Sequence, residues 1–232
     1  MSNQDLDSLK KAAALTAVEF VRDGMVVGLG TGSTAKHMVI ALGEKVRAGM
    51  TLRGVPTSME TATLARQQGI ILIDADNAWV IDVAIDGADQ VDPGFNLIKG
   101  GGGALLKEKI VAASAKQFIV LVDYTKRVPV LGGSFPLPIE VIPFGWGSTA
   151  REIEALTQSR VVLRERNGSP FNTETGHVIL DVHLSRIDNP RELEIALHLI
   201  PGVVETGLFV GRTDLLIVGT ANGVETHHAT RT

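Results

Sequence analysis

Cysteine is absent from the 232-residue sequence, and three kinds of site are excluded with it. A chain without cysteine has no disulfide framework, no thiolate nucleophile and no metal site built from cysteine ligands. The absence is compatible with the reducing cytosol, where disulfides are rare. We therefore expect a soluble protein of the cytoplasm.

Blocks of basic residues and long apolar runs are also missing. The 22 Lys and Arg residues against 26 Asp and Glu give a formal net charge of -4, and no Lys/Arg block of the kind that follows a phosphate backbone is present. No apolar stretch reaches the roughly 18 residues that a membrane span needs. Nucleic acid and membrane are therefore not expected as partners. With 44% hydrophobic residues, the chain can bury one full core, or one core plus a small satellite.

The first 131 residues alternate between apolar strands and helices. The runs "MVVGLG", "VIDVAID" and "QFIVLVD" are short and continuously apolar, and helical patterns lie between them. Strands of this kind, without polar alternation, are typical of a parallel sheet that is covered on both faces. We predict an α/β fold with an open, mostly parallel sheet and helices on both faces. The apolar run from Asp214 to Thr220 is expected to return to this sheet.

The order of elements changes after about Leu131. From there the patterns read strand, helix, strand, strand, helix, strand, which is the ferredoxin-like order. We predict a small ferredoxin-like α+β lobe over residues 132–207, and an α/β domain with the active site formed by residues 1–131 and 208–232. The polar segment from Asn222 to Thr232 shows no periodicity, and we expect it to be an unpaired tail.

Polar residues follow three of the predicted strands, and ligands of open parallel sheets bind beyond such strand ends. The hydroxyls and backbone N–H groups after "VVGLG" suit a phosphate at a helix N-terminus, although the glycine spacing gives neither a Walker loop nor a dinucleotide fingerprint. A plain strand-to-helix turn, with Ser33 or Thr34 as the capping residue, is the alternative there. The three segments are Thr31, Gly32, Ser33 and Thr34; Asp86, Gly87, Ala88 and Asp89; and Tyr124, Thr125 and Lys126.

Four consecutive glycines, from Gly100 to Gly103, lie between Lys99 and a strongly helical segment that carries Glu108. Each glycine raises the entropic cost of ordering the loop, so the run indicates unusual dihedrals or close approach to another group. A flexible linker is the alternative, but linkers rarely run directly into a helix. Helical side chains lean toward the N-terminus, so the Glu108 carboxylate is expected to point back at the loop. A glutamate that only complements the helix dipole is the simpler interpretation of Glu108.

Metal binding is the main rival explanation for the two aspartates of "DGAD". The six histidines lie elsewhere: His37 falls on the first sheet helix, His177, His183 and His198 fall in the predicted lobe, and His227 and His228 fall in the C-terminal segment. Histidine or thiolate ligation is therefore unsupported, whereas a Mg²⁺ bound by oxygen ligands stays open. We predict that the site contains no metal.

The segments "GLGTGSTA", "DGADQVD", "KGGGGALLKEKI" and "FPLPIEVIP" closely resemble ribose-5-phosphate isomerase, type A, and the likeness is collinear over nearly the whole chain. The resemblance implies interconversion of D-ribose 5-phosphate and D-ribulose 5-phosphate through an enediolate, without metal or organic cofactor, and a homodimer. It implies Glu108 as the base that moves a proton between C2 and C1, with Asp86, Asp89 and Lys99 around the sugar oxygens. The substrate-binding residues that it implies are Thr31, Gly32, Ser33, Thr34, Asp86, Gly87, Ala88, Asp89, Lys99, Gly100, Gly101, Gly102 and Lys126.

Two positions depart from the family pattern, and neither is assigned to chemistry. Lys107 stands where arginine is frequent, and Gln90 stands where an acidic residue is common. Two other functions remain as alternatives from the residues alone. A coenzyme A transferase would use Glu108 as a nucleophile and form a covalent thioester. A regulatory domain that senses sugar phosphates would bind the ligand without turning it over, and would be expected to carry a DNA-binding element.

Overall fold

The computed structural model describes residues 3–74 and 78–229. The chain divides into two compact units. The first contains Met1–Ala88, Lys107–Arg127 and Arg212–Thr232, and the second contains Asp89–Leu106 and Val128–Gly211. The predicted lobe, 132–207, lies within the second unit.

A seven-stranded sheet forms the centre of the first unit, in the order β16-β15-β7-β4-β1-β2-β3. All neighbours in this sheet are parallel except β15 and β16, which are antiparallel. The prediction of an open, mostly parallel sheet is therefore confirmed, and the return of the segment after Asp214 to this sheet is observed as β15. The strands are β1 (Val26–Leu29), β2 (Arg53–Pro56), β3 (Ile71–Leu72), β4 (Ile81–Gly87), β7 (Ala115–Asp123), β15 (Leu215–Thr220) and β16 (Gly223–His228).

Helices cover both faces of this sheet, as predicted. On one face, apolar residues of α1 and α2 form a continuous core with inward-facing strand residues such as Val27 and Val83. On the other face, α4 approaches so closely that a Cβ added at Gly28 would lie 2.5 Å from Val111 Cγ1. The helices are α1 (Asn3–Val18), α2 (Ser33–Arg47), α3 (Met59–Gln67) and α4 (Leu105–Ala113), of which α4 begins in the second unit.

The second unit contains a four-stranded antiparallel sheet in the order β13-β8-β12-β9. Numbered within the lobe, this order is 4-1-3-2, and a helix follows the first and the third strand, so the ferredoxin-like prediction is confirmed. Its core includes Ile139 and Leu180 from the sheet and Ile153 and Leu197 from the helices. The elements are β8 (Leu137–Val141), α5 (Trp146–Thr157), β9 (Val161–Leu163), β12 (Val178–Val182), α6 (Pro190–His198) and β13 (Val203–Thr206).

The second unit contains five further strands of two residues each, and strands of this length are too short to show a sequence period of their own. Three of them form a small antiparallel sheet in the order β14-β6-β5, and the other two form a hairpin. Because β6 pairs with β14 and β5 pairs with β6, residues 89–106 belong to the second unit. The strands are β5 (Gln90–Val91), β6 (Leu97–Ile98), β10 (Glu165–Arg166), β11 (Ser169–Pro170) and β14 (Leu208–Phe209).

The expectation of an unpaired tail from Asn222 onward is wrong for most of that segment. Residues Gly223–His228 form β16, which pairs with β15 from Leu215↔His228 to Thr220↔Gly223. The strand is largely exposed and its side chains are mostly polar. Its position therefore depends on backbone hydrogen bonds to β15, which leave no apolar alternation in the sequence. Residues 230–232 of the predicted tail lie outside the described residues.

Across residues 3–74 and 78–229, none of the helices combines the length and the apolar character that crossing a membrane requires.

Candidate active site

The predicted site residues of the first unit lie at one edge of its sheet. Strands β7, β4 and β1 are neighbours and parallel, so their carboxyl ends lie side by side. Thr31–Thr34 follow β1, Asp86 and Gly87 end β4, and Lys126 lies in a short 3-10 turn after β7. The edge thus combines hydroxyls, a carboxylate and an ammonium group, as the strand-end argument predicts.

Asp86 is held by backbone groups at the ends of two adjacent strands. Its Oδ1 accepts hydrogen bonds from the backbone N–H groups of Thr31, at 3.1 Å, and Gly87, at 2.7 Å. The residue is only 3% exposed. A Cβ at Gly30 would lie 2.2 Å from Asp86 Oδ1, so only glycine leaves room for this carboxylate. The side chain is therefore fixed by the register between β1 and β4.

The N-terminus of α2 is open to a ligand. Gly32 is its N-cap residue, with φ 108°, and no side chain makes a capping hydrogen bond there. Neither Ser33 nor Thr34 is the cap, which corrects the expectation for this turn, because both already lie inside the first helical turn. Their backbone N–H groups face the helix N-terminus, where the helix dipole favours an anion.

Lys10 is a candidate site residue that the sequence patterns did not identify. It lies on α1, and its Nζ donates a hydrogen bond to Ser33 Oγ at 3.2 Å. This contact places a positive charge beside the open end of α2. No sequence period predicts it, because the contact depends on how α1 crosses α2.

The hydroxyl of Thr31 belongs to a network of hydroxyls. Thr31 Oγ1 lies 2.7 Å from Thr57 Oγ1, 2.8 Å from Ser58 Oγ and 3.2 Å from Thr61 Oγ1. Thr57, Ser58 and Thr61 are all buried. Sequence reasoning did not include them, although they follow β2 at the same edge of the sheet. The network holds Thr31, and with it the loop between β1 and α2, against the residues that follow β2.

The glycine turn, Gly100–Gly103, belongs to the second unit, and its geometry shows why glycines occur there. Gly100 and Gly103 have φ of 105° and 89°, where side chains are strained, and the Gly103 N–H donates to Gly100 O at 3.0 Å. A Cβ at Gly101 would lie 2.9 Å from Asp89 Oδ1, whereas the space beside Gly102 is open. Gly101 and Gly102 are exposed to solvent. The run is therefore an ordered turn with bare backbone, and the linker alternative is excluded.

Asp89 begins the second unit and contacts the glycine turn. Its Oδ2 accepts a hydrogen bond from the Gly101 N–H at 2.8 Å, and its backbone N–H donates to Ile98 O at 2.9 Å. Gln90, which follows, pairs its side-chain amide with the backbone of Gly132 through two hydrogen bonds of 2.8 Å. An ionised carboxylate at position 90 has no N–H group to donate to the Gly132 carbonyl, so it could not form both hydrogen bonds. The glutamine that departs from the family pattern is therefore matched to the backbone of Gly132.

Lys99 is a buried cation of the second unit, with 3% of its surface exposed. Its Nζ lies 5.5 Å from the centroid of the Phe209 ring, and its backbone N–H donates to Gly207 O at 2.9 Å. The aromatic face stabilises the ammonium group electrostatically. Fully buried lysines are rare unless they are paired or functional.

Glu108 lies in the first turn of α4 and is 6% exposed. Ala88, the last residue of the first unit before the chain enters the second, is half-buried, as is Lys126. The structure therefore places Thr31, Asp86, Glu108 and Lys126 in the first unit and Asp89, Lys99 and the glycine turn in the second. Within each unit, the hydrogen bonds described above join an aspartate to a glycine-containing turn.

At the opposite end of β4 from Asp86, Asp82 carries a perturbed carboxyl group. A hydrogen bond from Lys116, helped by the backbone N–H of Val26, lowers the pKa of Asp82 below its ordinary value. This carboxyl group connects the start of β1 to β4, at the end of the strand away from the predicted site residues. Within the described residues, no group of three or more His, Cys, Asp or Glu side chains has the arrangement of a metal site.

Comparison with known families gives a match to the model of ribose 5-phosphate isomerase A (phosphoriboisomerase A) over residues 53–223. The chain is 53% identical over 222 residues to the ribose-5-phosphate isomerase A of Gloeobacter violaceus, covering 95% of this chain and 96% of the relative. It is 52% identical over 225 residues to the protein of the same name from a Ruegeria species, covering 94% of this chain and 86% of the relative.

Solved structures give the same result over nearly the full length. A D-ribose-5-phosphate isomerase in complex with phospho-erythronic acid has a TM-score of 0.93 at 43% identity, with 98% of this chain and 100% of that chain covered. The ribose 5-phosphate isomerase of Plasmodium falciparum has a TM-score of 0.94 at 34% identity, with 97% and 100% covered.

Proposed function

The chain belongs to the ribose 5-phosphate isomerase A family, and from that membership we propose a role for each residue of the candidate site. The activity is the interconversion of D-ribose 5-phosphate and D-ribulose 5-phosphate, an aldose–ketose isomerisation. Such a reaction moves a hydrogen between adjacent carbons and passes through an enediolate. It needs a base for a weakly acidic C–H bond and a donor set for the oxyanion.

Glu108 is the base in this proposal. Its carboxylate takes the proton from C2 of the open-chain aldose and returns it to C1, so that no net proton is gained or lost. The observation that carries the assignment is the burial of Glu108 at the start of α4. Burial of a carboxylate is costly and is retained mainly where the group is paired or functional.

Lys99 and the amides of the glycine turn stabilise the enediolate oxygens. Lys99 is buried, so its positive charge acts with little screening by solvent. Gly102 is exposed, has open space beside it and carries no side chain, which lets a sugar oxygen approach its backbone N–H group, whereas the Gly101 N–H donates to Asp89. An ammonium group together with amide donors is the arrangement that an enzyme needs where negative charge develops on oxygen.

The carboxylates of Asp86 and Asp89 serve the hydroxyl groups of the sugar. As the enediolate forms and collapses, a proton must pass between the oxygens on C1 and C2, and a carboxylate accepts and returns it. Both aspartates accept backbone N–H hydrogen bonds, which orient their carboxylates toward the hydroxyl groups of the sugar. The same groups suit proton transfer during opening of the furanose ring.

The phosphate is bound at the start of α2. Gly32 leaves the helix amides uncapped, the hydroxyls of Ser33 and Thr34 lie in the first turn, and Lys10 adds a positive charge beside Ser33. Lys126 adds a second ammonium group at the same sheet edge. The related enzyme solved with phospho-erythronic acid supports this substrate class, because that compound joins a phosphate to a planar carboxylate resembling an enediolate.

The test of this assignment is the variant Glu108→Gln. The amide keeps the size of the side chain but cannot accept a proton from carbon, so kcat should fall by about 10²- to 10⁴-fold, or more if no other group reaches the C–H bond. Affinity for the ligand should change little, because the phosphate contacts lie elsewhere. Exchange of the C2 hydrogen with deuterated solvent should be suppressed together with turnover.

Glu60→Gln is the matched control, because Glu60 also lies in the first turn of a helix but is exposed. Replacing a glutamate that only complements the helix dipole should lower the free energy of unfolding by about 0.3–1 kcal/mol and leave kcat near wild type. If Glu108→Gln behaves like Glu60→Gln, the base is not Glu108 and the role passes to Asp86 or Asp89.

A homodimer and a cytoplasmic location complete the proposal. The homodimer is supported by the family membership and by exposed apolar side chains of the second unit, such as Phe144, which is 93% exposed, and Leu199, which is 79% exposed. Light scattering on the purified protein, whose chain has a mass of 24.7 kDa, distinguishes a dimer from a monomer.

A further inference from the structure

Arg164 joins the antiparallel lobe to the glycine turn within the second unit. It follows β9 directly, and its guanidinium group pairs with Asp181 of β12 through Nε to Oδ2 at 2.8 Å and Nη2 to Oδ1 at 2.5 Å. The remaining nitrogen, Nη1, donates to Gly100 O at 2.7 Å and to Gly101 O at 3.2 Å. One side chain thus connects a sheet carboxylate to two carbonyl groups of the turn.

The contact with Gly100 O bears on the peptide that also contacts Asp89. The carbonyl of Gly100 and the N–H of Gly101 belong to one planar trans peptide unit, so they point in opposite directions. Arg164 holds the oxygen of this unit, and Asp89 accepts the hydrogen bond from its N–H at 2.8 Å. Rotation of the peptide would break both hydrogen bonds, and each involves a charged group.

Glycine neighbours give this peptide little resistance of their own. Gly100 and Gly101 have no side chains to restrict rotation, and they lose more conformational freedom on ordering than other residues. The planar guanidinium fork suits the task, because it pairs bidentately with Asp181 and still presents a donor in a fixed direction. A lysine has one flexible point of charge and cannot form both sets of contacts in the same geometry.

The far end of the turn is supported from the same segment. Phe171 packs against Gly103, where a Cβ would lie 2.4 Å from Phe171 Cε1, and the Phe171 N–H donates to Arg164 O at 2.8 Å. Arg166 stacks over the Phe171 ring at 4.4 Å from its centroid. Residues 164–171 therefore contact the turn at Gly100, Gly101 and Gly103.

We propose that Arg164, held by Asp181, is a positioning residue of the isomerase: it fixes the Gly100–Gly101 peptide so that the Gly101 N–H orients the Asp89 carboxylate for proton transfer. The inference rests on the proposed roles of Asp89 and the glycine turn. Arg164 acts through these groups and does not contact the reacting atoms. It therefore affects the chemical step more than substrate binding, because the phosphate is bound by residues of the first unit.

The experiment compares steady-state kinetics of four variants: Arg164→Met, Arg164→Lys, Asp181→Asn and Arg186→Met. Misplacing a catalytic group by about 1 Å costs on the order of 10²-fold, so Arg164→Met should lower kcat by about 10- to 100-fold and change KM for ribose 5-phosphate by less than about threefold. Arg164→Lys and Asp181→Asn should lower kcat by about 3- to 10-fold, since each keeps part of the contacts that join Asp181, Arg164 and the glycine turn.

Arg186→Met is the matched control, because Arg186 also pairs with an aspartate, Asp188, but on the surface of the same unit. It should keep wild-type kcat. Turnover by the wild type and by this control tests the isomerase activity separately from the positioning role. If neither turns over ribose 5-phosphate, the proposed function fails.

Wild-type kcat for Arg164→Met or Arg164→Lys would overturn the positioning role and leave the proposed function intact. A rise in KM at constant kcat would also overturn it, because Arg164 would then act in binding. If Arg164→Met does not fold, Asp181→Asn decides by the same split between kcat and KM. In the folded variants, faster hydrogen exchange of the Gly101 amide is expected, and unchanged exchange would contradict the proposal.

Discussion

In the first unit, called the sheet unit below, Asp86 accepts hydrogen bonds from two backbone amides whose positions are set by the register of β1 and β4. In the second unit, Asp89 accepts its hydrogen bond from an amide in a turn of four glycines. That turn is braced by Arg164, which lies 64 residues further along the chain than Gly100. The two carboxylates are three residues apart in sequence, yet one is supported locally and the other through a distant side chain.

The difference shows how a catalytic carboxylate is supported in regular and in irregular structure. A ladder of strand hydrogen bonds fixes neighbouring amides without help from side chains. A glycine turn gives the backbone access to substrate but has no such ladder, so its geometry depends on side chains from outside. Variants near Asp86 should therefore act through steric effects on the sheet. Variants of the second unit near Asp89 should act by changing the orientation of the glycine turn.

The largest effect among these tests is expected for Gly30→Ala. The new methyl group would lie 2.2 Å from Asp86 Oδ1 and 2.7 Å from Asp86 Cα, and β4 cannot move away without breaking its register. We expect kcat/KM to fall by at least about 100-fold, because the carboxylate is displaced, and stability to fall by about 1–3 kcal/mol. Gly147→Ala is the control, since it lies in α5 with open space around it, and it should leave kcat unchanged. Wild-type activity of Gly30→Ala would show that Asp86 is not rigidly held.

A smaller effect is expected for Lys10→Met, which tests the phosphate end of the sheet unit. Loss of the ammonium group beside Ser33 should raise KM for ribose 5-phosphate by about 10- to 100-fold, the range for hydrogen bonds to charged groups, with kcat within about twofold of wild type. Lys11→Met provides a neighbouring exposed lysine for comparison and should leave KM unchanged. Equal KM values for the two variants, or inhibition by inorganic phosphate that does not weaken in Lys10→Met, would contradict the assignment.

The smallest effect is expected for Asp82→Asn, at the end of β4 away from the site. Because its hydrogen bond from Lys116 lowers the pKa of Asp82 in the folded state, this carboxylate stabilises the fold above its unfolded pKa. The contribution is lost as pH falls through the folded pKa. At pH 7 the variant should be less stable by roughly 1 kcal/mol, with kcat near wild type, and the stability difference should shrink in acid. Urea unfolding of wild type and variant at pH 7 and in acid measures this difference in stability. A difference that grows in acid would contradict the predicted direction of the pKa shift.

Much of the sheet unit was predictable from the sequence. Its strands are short apolar runs, and the polar residues at their carboxyl ends lie together because parallel neighbours end at one edge. The motif resemblance was confirmed by the family match over residues 53–223. The strand β16 was missed, because a mostly polar strand that pairs at the edge of the sheet shows no apolar period.

The support of the site was less predictable than its residues. Lys10 and Arg164 look like ordinary surface cations in the sequence, and their partners, Ser33 and Gly100, are distant along the chain. Contacts of this kind depend on how helices cross and how strands are ordered in a sheet, which local propensity does not encode. The positive φ at Gly100 and Gly103 was implied by the glycine run, but the side chains that brace the turn were not.

The contrast between Asp86 and Asp89 is tested most directly by a double-mutant cycle in kcat. Arg164→Met is introduced into wild type, into Asp89→Asn and into Asp86→Asn, with folding checked for each protein. If Arg164 acts through Asp89, its cost of about 10- to 100-fold in wild type should fall to less than about threefold in Asp89→Asn, because coupled residues are not additive. In Asp86→Asn the full cost should persist. The same full cost in both aspartate backgrounds would contradict the account.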